Sequence, residues 1–335
     1  MLDSVTLFNI GLGFYILSAL FYVIYAFTRK EKVGKVATIS ALIGVIIQGI
    51  GFIVRGFQKA QVNEVTSILE LYKYAPFTNM YESLMLFGWM VVLIYLFFER
   101  KYKNKMFGMF VLPLAILAQS STSILGFSGE IQPLIPALQS NWLLFHVITC
   151  FIGYAGAAVA AGVAFAYFLK REDTTKLDWF IMWFTLAFGA FWALLSIYRL
   201  SAWLTCLILS IVIATIITGI LWFIKKAGIP KYFPSVEQLE NIMYYSIAVG
   251  FVFLTIGIIT GAVWAKYAWG GYWSWDPKET WSLITWLIYA AYLHVKYIKG
   301  WAGKKLAYFS LLGFISVIFT YYGVNLLLPG LHSYA

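Results

Sequence analysis

An all-α, polytopic membrane protein of about ten transmembrane helices is the fold this sequence predicts, on three observations. Of the 335 residues, 62% are hydrophobic and only 11% are charged, whereas a soluble globular chain is nearer a quarter charged. Apolar runs of about 20 residues, each long enough to cross a ~30 Å hydrocarbon core, recur along the whole length. The basic residues gather in every second linker between those runs.

The runs predict spans at 7–28, 36–57, 78–98, 106–124, 142–169, 179–197, 202–224, 239–264, 281–298 and 306–328. The first follows Met1-Leu2-Asp3 with no basic region ahead of it, and reads as a retained helix rather than a cleaved signal peptide. The third is opened by Pro76-Phe-Thr-Asn-Met-Tyr-Glu-Ser83. There Thr78 or Asn79 can act as N-cap, and Glu82 sits where the helix dipole favours a carboxylate; a contact in an external site is the alternative role for Glu82. The sixth and seventh spans are joined by a very short turn around Arg199. Together with their linkers, 172–235, they form a helical hairpin that could be added without inverting anything downstream. The whole chain, 1–335, is read as one integral membrane domain.

Charge placement sets the orientation. The linkers 29–35, 99–105, 170–178, 225–238 and 299–305, together with Lys296, carry 18 of the 24 Lys and Arg. The other side keeps Arg55, Lys59, Lys73, Arg199, Lys266 and Lys278. By the positive-inside rule the first set is cytoplasmic and both termini are external. The net charge of +10 is therefore a topology signal in a lipid bilayer, and no nucleic-acid partner is expected. Cys150 and Cys206 lie in apolar segments with no CxxC or CxxCH motif, which argues against a disulfide framework and against covalent haem attachment to this chain.

The most informative stretch is Trp269-Gly-Gly-Tyr-Trp-Ser-Trp-Asp-Pro-Lys-Glu-Thr-Trp281, within the external loop 265–280. Trp269, Trp273 and Trp275 offer a platform for a large, flat, apolar ligand, and Gly270 and Gly271 let backbone approach it closely. An aromatic belt at the membrane boundary is the plainer reading, but belt residues are scattered around a rim rather than packed into one loop. His146, near the start of the fifth span, and His332, in the tail Gly330-Leu-His-Ser-Tyr334, fall on the same side as this loop. Two neutral imidazoles are a suitable axial pair for haem iron.

Asp276-Pro-Lys-Glu279 predicts a helix start, with Asp276 as N-cap, Pro277 at the first helical position and Glu279 completing a capping box. The cap also fixes the direction in which Trp273 and Trp275 point. Lys278 and Lys266 can pair with carboxylates of a bound ligand, such as haem propionates, or snorkel to lipid headgroups. His294 lies 13 residues beyond Trp281, about 20 Å into the membrane at 1.5 Å per residue. An ionisable group there is a functional-site hypothesis, set against a neutral histidine bonded to a neighbouring helix. If it binds a metal cofactor, a partner subunit must supply the second histidine.

The tryptophan-rich loop closely resembles the WWD signature of haem-handling proteins in cytochrome c biogenesis. Within that superfamily the chain is similar to the CcsA/ResC type, the larger membrane subunit of the two-protein (System II) cytochrome c synthase. Supporting segments are Pro76 to Ser83, Asn-Trp-Leu-Leu-Phe-His146, Leu-Thr-Ile-Gly-Ile-Ile-Thr-Gly-Ala-Val-Trp264, Tyr292-Leu-His294 and Gly323-Val-Asn325 leading to the tail. The resemblance implies that His146 and His332 ligate haem iron at the external site. It also implies that His294 binds haem in transit, opposite a histidine of a CcsB/ResB partner. The implied task is to carry haem b as a substrate to the external face of the bacterial cytoplasmic membrane, or to the lumenal face of a thylakoid. There the haem is presented to the CxxCH thiols of apocytochrome c, which would make the chain a subunit of a holocytochrome c synthase (haem lyase). The hairpin at 172–235 departs from the shorter members.

Three other readings stand beside this one: an exporter of haem or another amphipathic anion without synthase activity, a redox subunit holding a permanent haem b, and a haem chaperone loading a carrier protein. The last fits poorly with His294.

Overall fold

A computed structural model describes residues 3–65, 74, 76–124, 126–127, 129–198, 200–328 and 330–331. Among them are ten long helices and no strands: α1 (Ser4–Thr28), α2 (Glu31–Val62), α3 (Met80–Tyr102), α4 (Gly108–Ile124), α5 (Asn141–Lys170), α6 (Lys176–Tyr198), α7 (Trp203–Lys226), α8 (Val236–Trp269), α9 (Pro277–Tyr297) and α10 (Lys304–Ile318). The last continues through a π turn at Phe319–Gly323 into Val324–Leu327. Among the described residues, eight of these are long and apolar enough to cross a bilayer, and Gly108–Ile124 is shorter. The chain is thus a multi-pass membrane protein. Helix α9 falls short on mean hydropathy, because Thr, Ser, Trp, Tyr and His are interspersed along it with its few charged residues.

The helices pack through small residues, as expected where lipid supplies no hydrophobic drive between helices. The seam between α5 and α8 is the centre of the molecule. A Cβ on Gly156 would sit 2.6 Å from the Ser246 carbonyl oxygen, and one on Gly153 would sit 3.1 Å from that of Gly250, so backbone meets backbone there. Around this seam α5 is buried almost continuously from Thr149 to Leu169. Helices α1 and α2 close against each other where Gly11 faces Gln48 and Gly44 faces Tyr15. Gln48 and Gln119 exchange two amide bonds of 2.8 and 2.9 Å and also donate to the carbonyls of Phe8 and Met85. Both side-chain amides are thereby satisfied in an interior where an unpaired one is costly.

The hairpin α6–α7 is peripheral. Trp183 of α6 donates to Thr215 of α7 at 3.1 Å, and α6 is tied to α10 by Asp178, which accepts from Lys304 at 2.9 Å and from Tyr308. Helix α7 exposes Leu204, Ile208, Ile216, Ile220 and Phe223, an apolar surface suited to lipid.

Candidate functional site

At the end of the bundle that carries the tryptophan loop, α3, α5, α8, α9 and the last turns of α10 surround a cleft open to solvent, whose empty space together with that open solvent is about 1140 Å³. Its walls include His146, Cys150, Trp264, Trp273, Lys278 and Tyr321. The mixed lining suits a mostly apolar ligand oriented by a few polar groups.

His146 stands in the second turn of α5, whose N-cap is Ser140. Its Nδ1 lies 2.7 Å from the carbonyl oxygen of Gly257 on α8. A carbonyl can only accept, so Nδ1 carries the proton and Nε2 keeps its lone pair, the arrangement found in metal-ligating histidines. Gly257, Gly261 and Trp264 form one face of α8 that cradles the ring. A Cβ on Gly261 would come within 2.5 Å of Nδ1, so only glycine leaves room for the imidazole. Trp264 stacks on the ring at 6.0 Å with 19° between planes and is itself fixed by donating to the Ala137 carbonyl at 2.8 Å. The Cys150 thiol lies 3.6 Å from Nδ1, one turn along α5.

The tryptophan loop is built from both sides. Helix α8 ends at Gly270, whose φ of 83° closes the helix in the left-handed region where glycine costs little. Asp276 is the N-cap of α9, with Pro277 in the first turn and a complete capping box to Glu279, as the sequence predicts. The Glu279 carboxylate also accepts from the Ser274 amide at 2.8 Å and from the Asp276 amide at 3.2 Å. Between these two amides sits Trp275 at φ 58°, an unfavourable conformation for a bulky residue. Held there, its indole is turned outward and is 69% exposed, edge-on to Trp273 at 5.7 Å. Trp273 lines the cavity. Trp269 does not; it packs on Trp264 at 4.7 Å, one layer behind the wall.

Asp276 has a second task that the sequence does not announce. Its buried carboxylate accepts from the backbone amide of Leu331 at 2.6 Å, which pins the chain beside the loop one residue before His332. His332 itself lies outside the described residues. Lys278 extends along the cavity wall and donates to the Asn325 side-chain oxygen at 2.9 Å. Lys266 instead folds back onto the Gly270 carbonyl at 2.9 Å. The π turn in α10, a feature frequent at functional sites, precedes Asn325, and both Asn325 and Tyr321 face the cavity.

The wall at the start of α3 is braced by a buried ion triad. Asn79 is the N-cap. Glu82 accepts from Arg55 at 2.9 Å and Lys59 at 2.6 Å, and the three side chains are at most 1% exposed. Glu82 is thus mainly an ion-pair centre, although it also accepts from the Thr78 amide at 2.9 Å.

His294 lies away from this cavity. It falls in the last turn of α9, about 24 Å along that helix from Lys278. Its side chain is exposed rather than buried, on the same outer strip as Leu287 and Ala291. Among the described residues nothing hydrogen-bonds its ring, so the neighbouring-helix alternative is not met. The reason is geometric: Thr285, Tyr289 and Tyr292 occupy the inward face of α9, and position 294 is turned away from it.

Comparison with known proteins places this architecture. A family model for cytochrome c assembly proteins matches residues 77–332. The chain belongs to this family. Within it the chain is of the CcsA type, being 40% identical over 274 residues to the cytochrome c biogenesis protein CcsA of Heterosigma akashiwo, a match covering 78% of this chain and 77% of that one. The CcsA proteins of Microcystis aeruginosa (40% over 273 residues; 78% and 79% covered) and Marchantia polymorpha (40% over 266 residues; 77% and 78% covered) are similarly related. The fold is shared with the cytochrome c haem lyase CcmF at a TM-score of 0.59 and 16% identity, across 96% of this chain and 47% of that one. The chain spans about half the length of that lyase, and at this identity the likeness is one of fold.

Proposed function

We propose that this protein holds haem at the cavity beside the tryptophan loop and presents it for attachment to apocytochrome c, within the cytochrome c maturation in which its family works. The observation that carries the reading is the environment of His146. A largely apolar cleft contains an imidazole whose Nδ1 is engaged by the Gly257 carbonyl, leaving Nε2 for iron. The residues fit the substrate in three respects: a neutral nitrogen donor, aromatic walls at Trp264 and Trp273, and glycine at 261, where any side chain would displace the His146 imidazole.

In this proposal His332 is the second axial ligand, and the Asp276–Leu331 bond supports it by holding the tail at the loop. Trp273 flanks the ring with Trp275 packed edge-on to it, while Trp269, Gly270 and Gly271 shape the loop from behind. The attachment chemistry is an addition. Each apocytochrome S–H adds across a haem vinyl C=C, an S–C bond replaces the π bond, and the thiol hydrogen ends on carbon. No external oxidant is required. The chain's contribution is alignment of two thiols with two vinyls, which supplies much of such a rate.

His294 is proposed as half of a second haem site, completed by a histidine of a CcsB/ResB-type subunit; its exposure on the outer strip of α9 agrees with a ligand waiting for a partner. The cavity is assigned to the external face of the bacterial cytoplasmic membrane or its plastid equivalent, with both termini on that face, on the strength of the basic linkers at the opposite end. The hairpin 172–235 is assigned no part in haem handling. Co-expression with an apocytochrome and the CcsB/ResB-type partner, read by pyridine haemochrome, tests the function. His146→Ala and His332→Ala are each expected to abolish attachment; attachment that survived both would sink the proposal.

A further inference from the structure

One charged group in the cavity is not used by axial ligation. Lys278 lies on the wall of the same cavity as His146. Among the described residues it forms no ion pair, and its ammonium is given a single neutral acceptor, the side-chain oxygen of Asn325 at 2.9 Å. The two carboxylates nearest in sequence are committed elsewhere. Asp276 accepts from the amides of Lys278 and Leu331, and Glu279 accepts from Ser274 and Asp276. An ammonium has three donors, and one neutral acceptor leaves it short of hydrogen bonds, with the Asp276 carboxylate acting on its charge only through space.

The surroundings add to this excess. Behind the cavity wall formed by Asn79 and Ser83, Arg55 and Lys59 share the one buried carboxylate of Glu82. Asn325 itself touches the start of α3, its amide lying 3.4 Å from Met80 Sδ. The π turn of α10, the first turn of α9 and the first turn of α3 therefore meet at one positively charged pole of an otherwise apolar cavity. Lys266, the other lysine of the loop region, is turned back onto the Gly270 carbonyl and does not line the cavity.

We propose that Lys278, held by Asn325, is the carboxylate-recognition subsite of the cavity and fixes the in-plane orientation of the porphyrin. The inference rests on the haem reading given above and deepens it. Haem carries its two propionates on one edge and its two vinyls on the other half of the ring. A propionate on Lys278 therefore turns the vinyl half away from α9, and that half of the macrocycle is presented to the thiols. Lys278 is a binding and positioning residue; it takes no part in bond making.

The experiment compares haem with iron protoporphyrin IX dimethyl ester, in which both carboxylates are masked, by titration into the purified full chain in detergent. Wild type is expected to bind haem about tenfold or more tighter than the diester, the scale of one hydrogen bond to a charged group. Lys278→Gln is expected to lose that preference through weaker haem binding, with diester binding unchanged, and Lys278→Arg to restore it. A Lys278→Gln protein that kept the wild-type preference would overturn the subsite while leaving the haem reading intact. Equal affinity of wild type for acid and diester would overturn it too, even if the glutamine variant failed to fold. Wild type that bound neither porphyrin would remove the haem reading itself, and the subsite with it.

Discussion

The two described histidines sit in opposite surroundings. His146 is enclosed by its own chain: one α8 face of Gly257, Gly261 and Trp264 fixes its tautomer and its ring plane, and a cavity opens in front of it. His294 is exposed at the far end of α9 with no hydrogen-bond partner among the described residues. In the proposed reading the first belongs to a site this chain builds from its own residues, and the second is half of a site shared with another subunit. In a bilayer an uncompensated imidazole is expensive, so the exposed one makes physical sense against another subunit, and the enclosed one makes sense without it.

Three substitutions sharpen or break the contrast. The largest effect on stability is expected at the braced wall of the cavity. Glu82→Ala strands two buried cations and should cost about 3–5 kcal/mol, read as a lowered unfolding temperature in detergent. An unchanged midpoint would mean that the triad does not hold the start of α3. Gly261→Ala comes next. The added methyl overlaps the His146 ring and should cost about 1–3 kcal/mol by overpacking. Moving the ring off the Gly257 carbonyl should also weaken haem binding by about 10–100-fold, as loss of an outer partner does at metal sites. Haem titration at full wild-type affinity would show that the α8 cradle is incidental. The smallest effect belongs to His294→Ala, which should change the stability of the isolated chain by no more than about 0.5 kcal/mol; a clear destabilisation would reveal an internal role that its exposure argues against.

What could be read from the sequence depended on how local the signal was. The start of α9 was legible because Asp276, Pro277 and Glu279 act within one turn. The helices were legible from apolar length, although α2 and α8 run several residues past the apolar runs that announce them. Pairings across the fold were not legible. Glu82 meets Arg55 and Lys59 from 27 and 23 residues away, Asp276 meets Leu331 from 55, and no spacing rule links them. The cradle of His146 had a signal that was not used as geometry: Gly257, Gly261 and Trp264 fall at i, i+4 and i+7, one face of a helix. Lys266 and Lys278 were indistinguishable in sequence, because only the fold decides which of two loop lysines turns inward. Spacing alone tells how far along α9 His294 lies but not which way it faces; the tyrosines of α9 take the inward positions and the histidine is exposed.

The most direct test of the central claim is the reduced absorption spectrum of the chain purified without any partner, as wild type, His146→Ala and His294→Ala. The account predicts an imidazole-ligated haem spectrum in wild type, the same spectrum in His294→Ala, and its loss in His146→Ala. An unchanged spectrum in His146→Ala, or loss with His294→Ala alone, would contradict it.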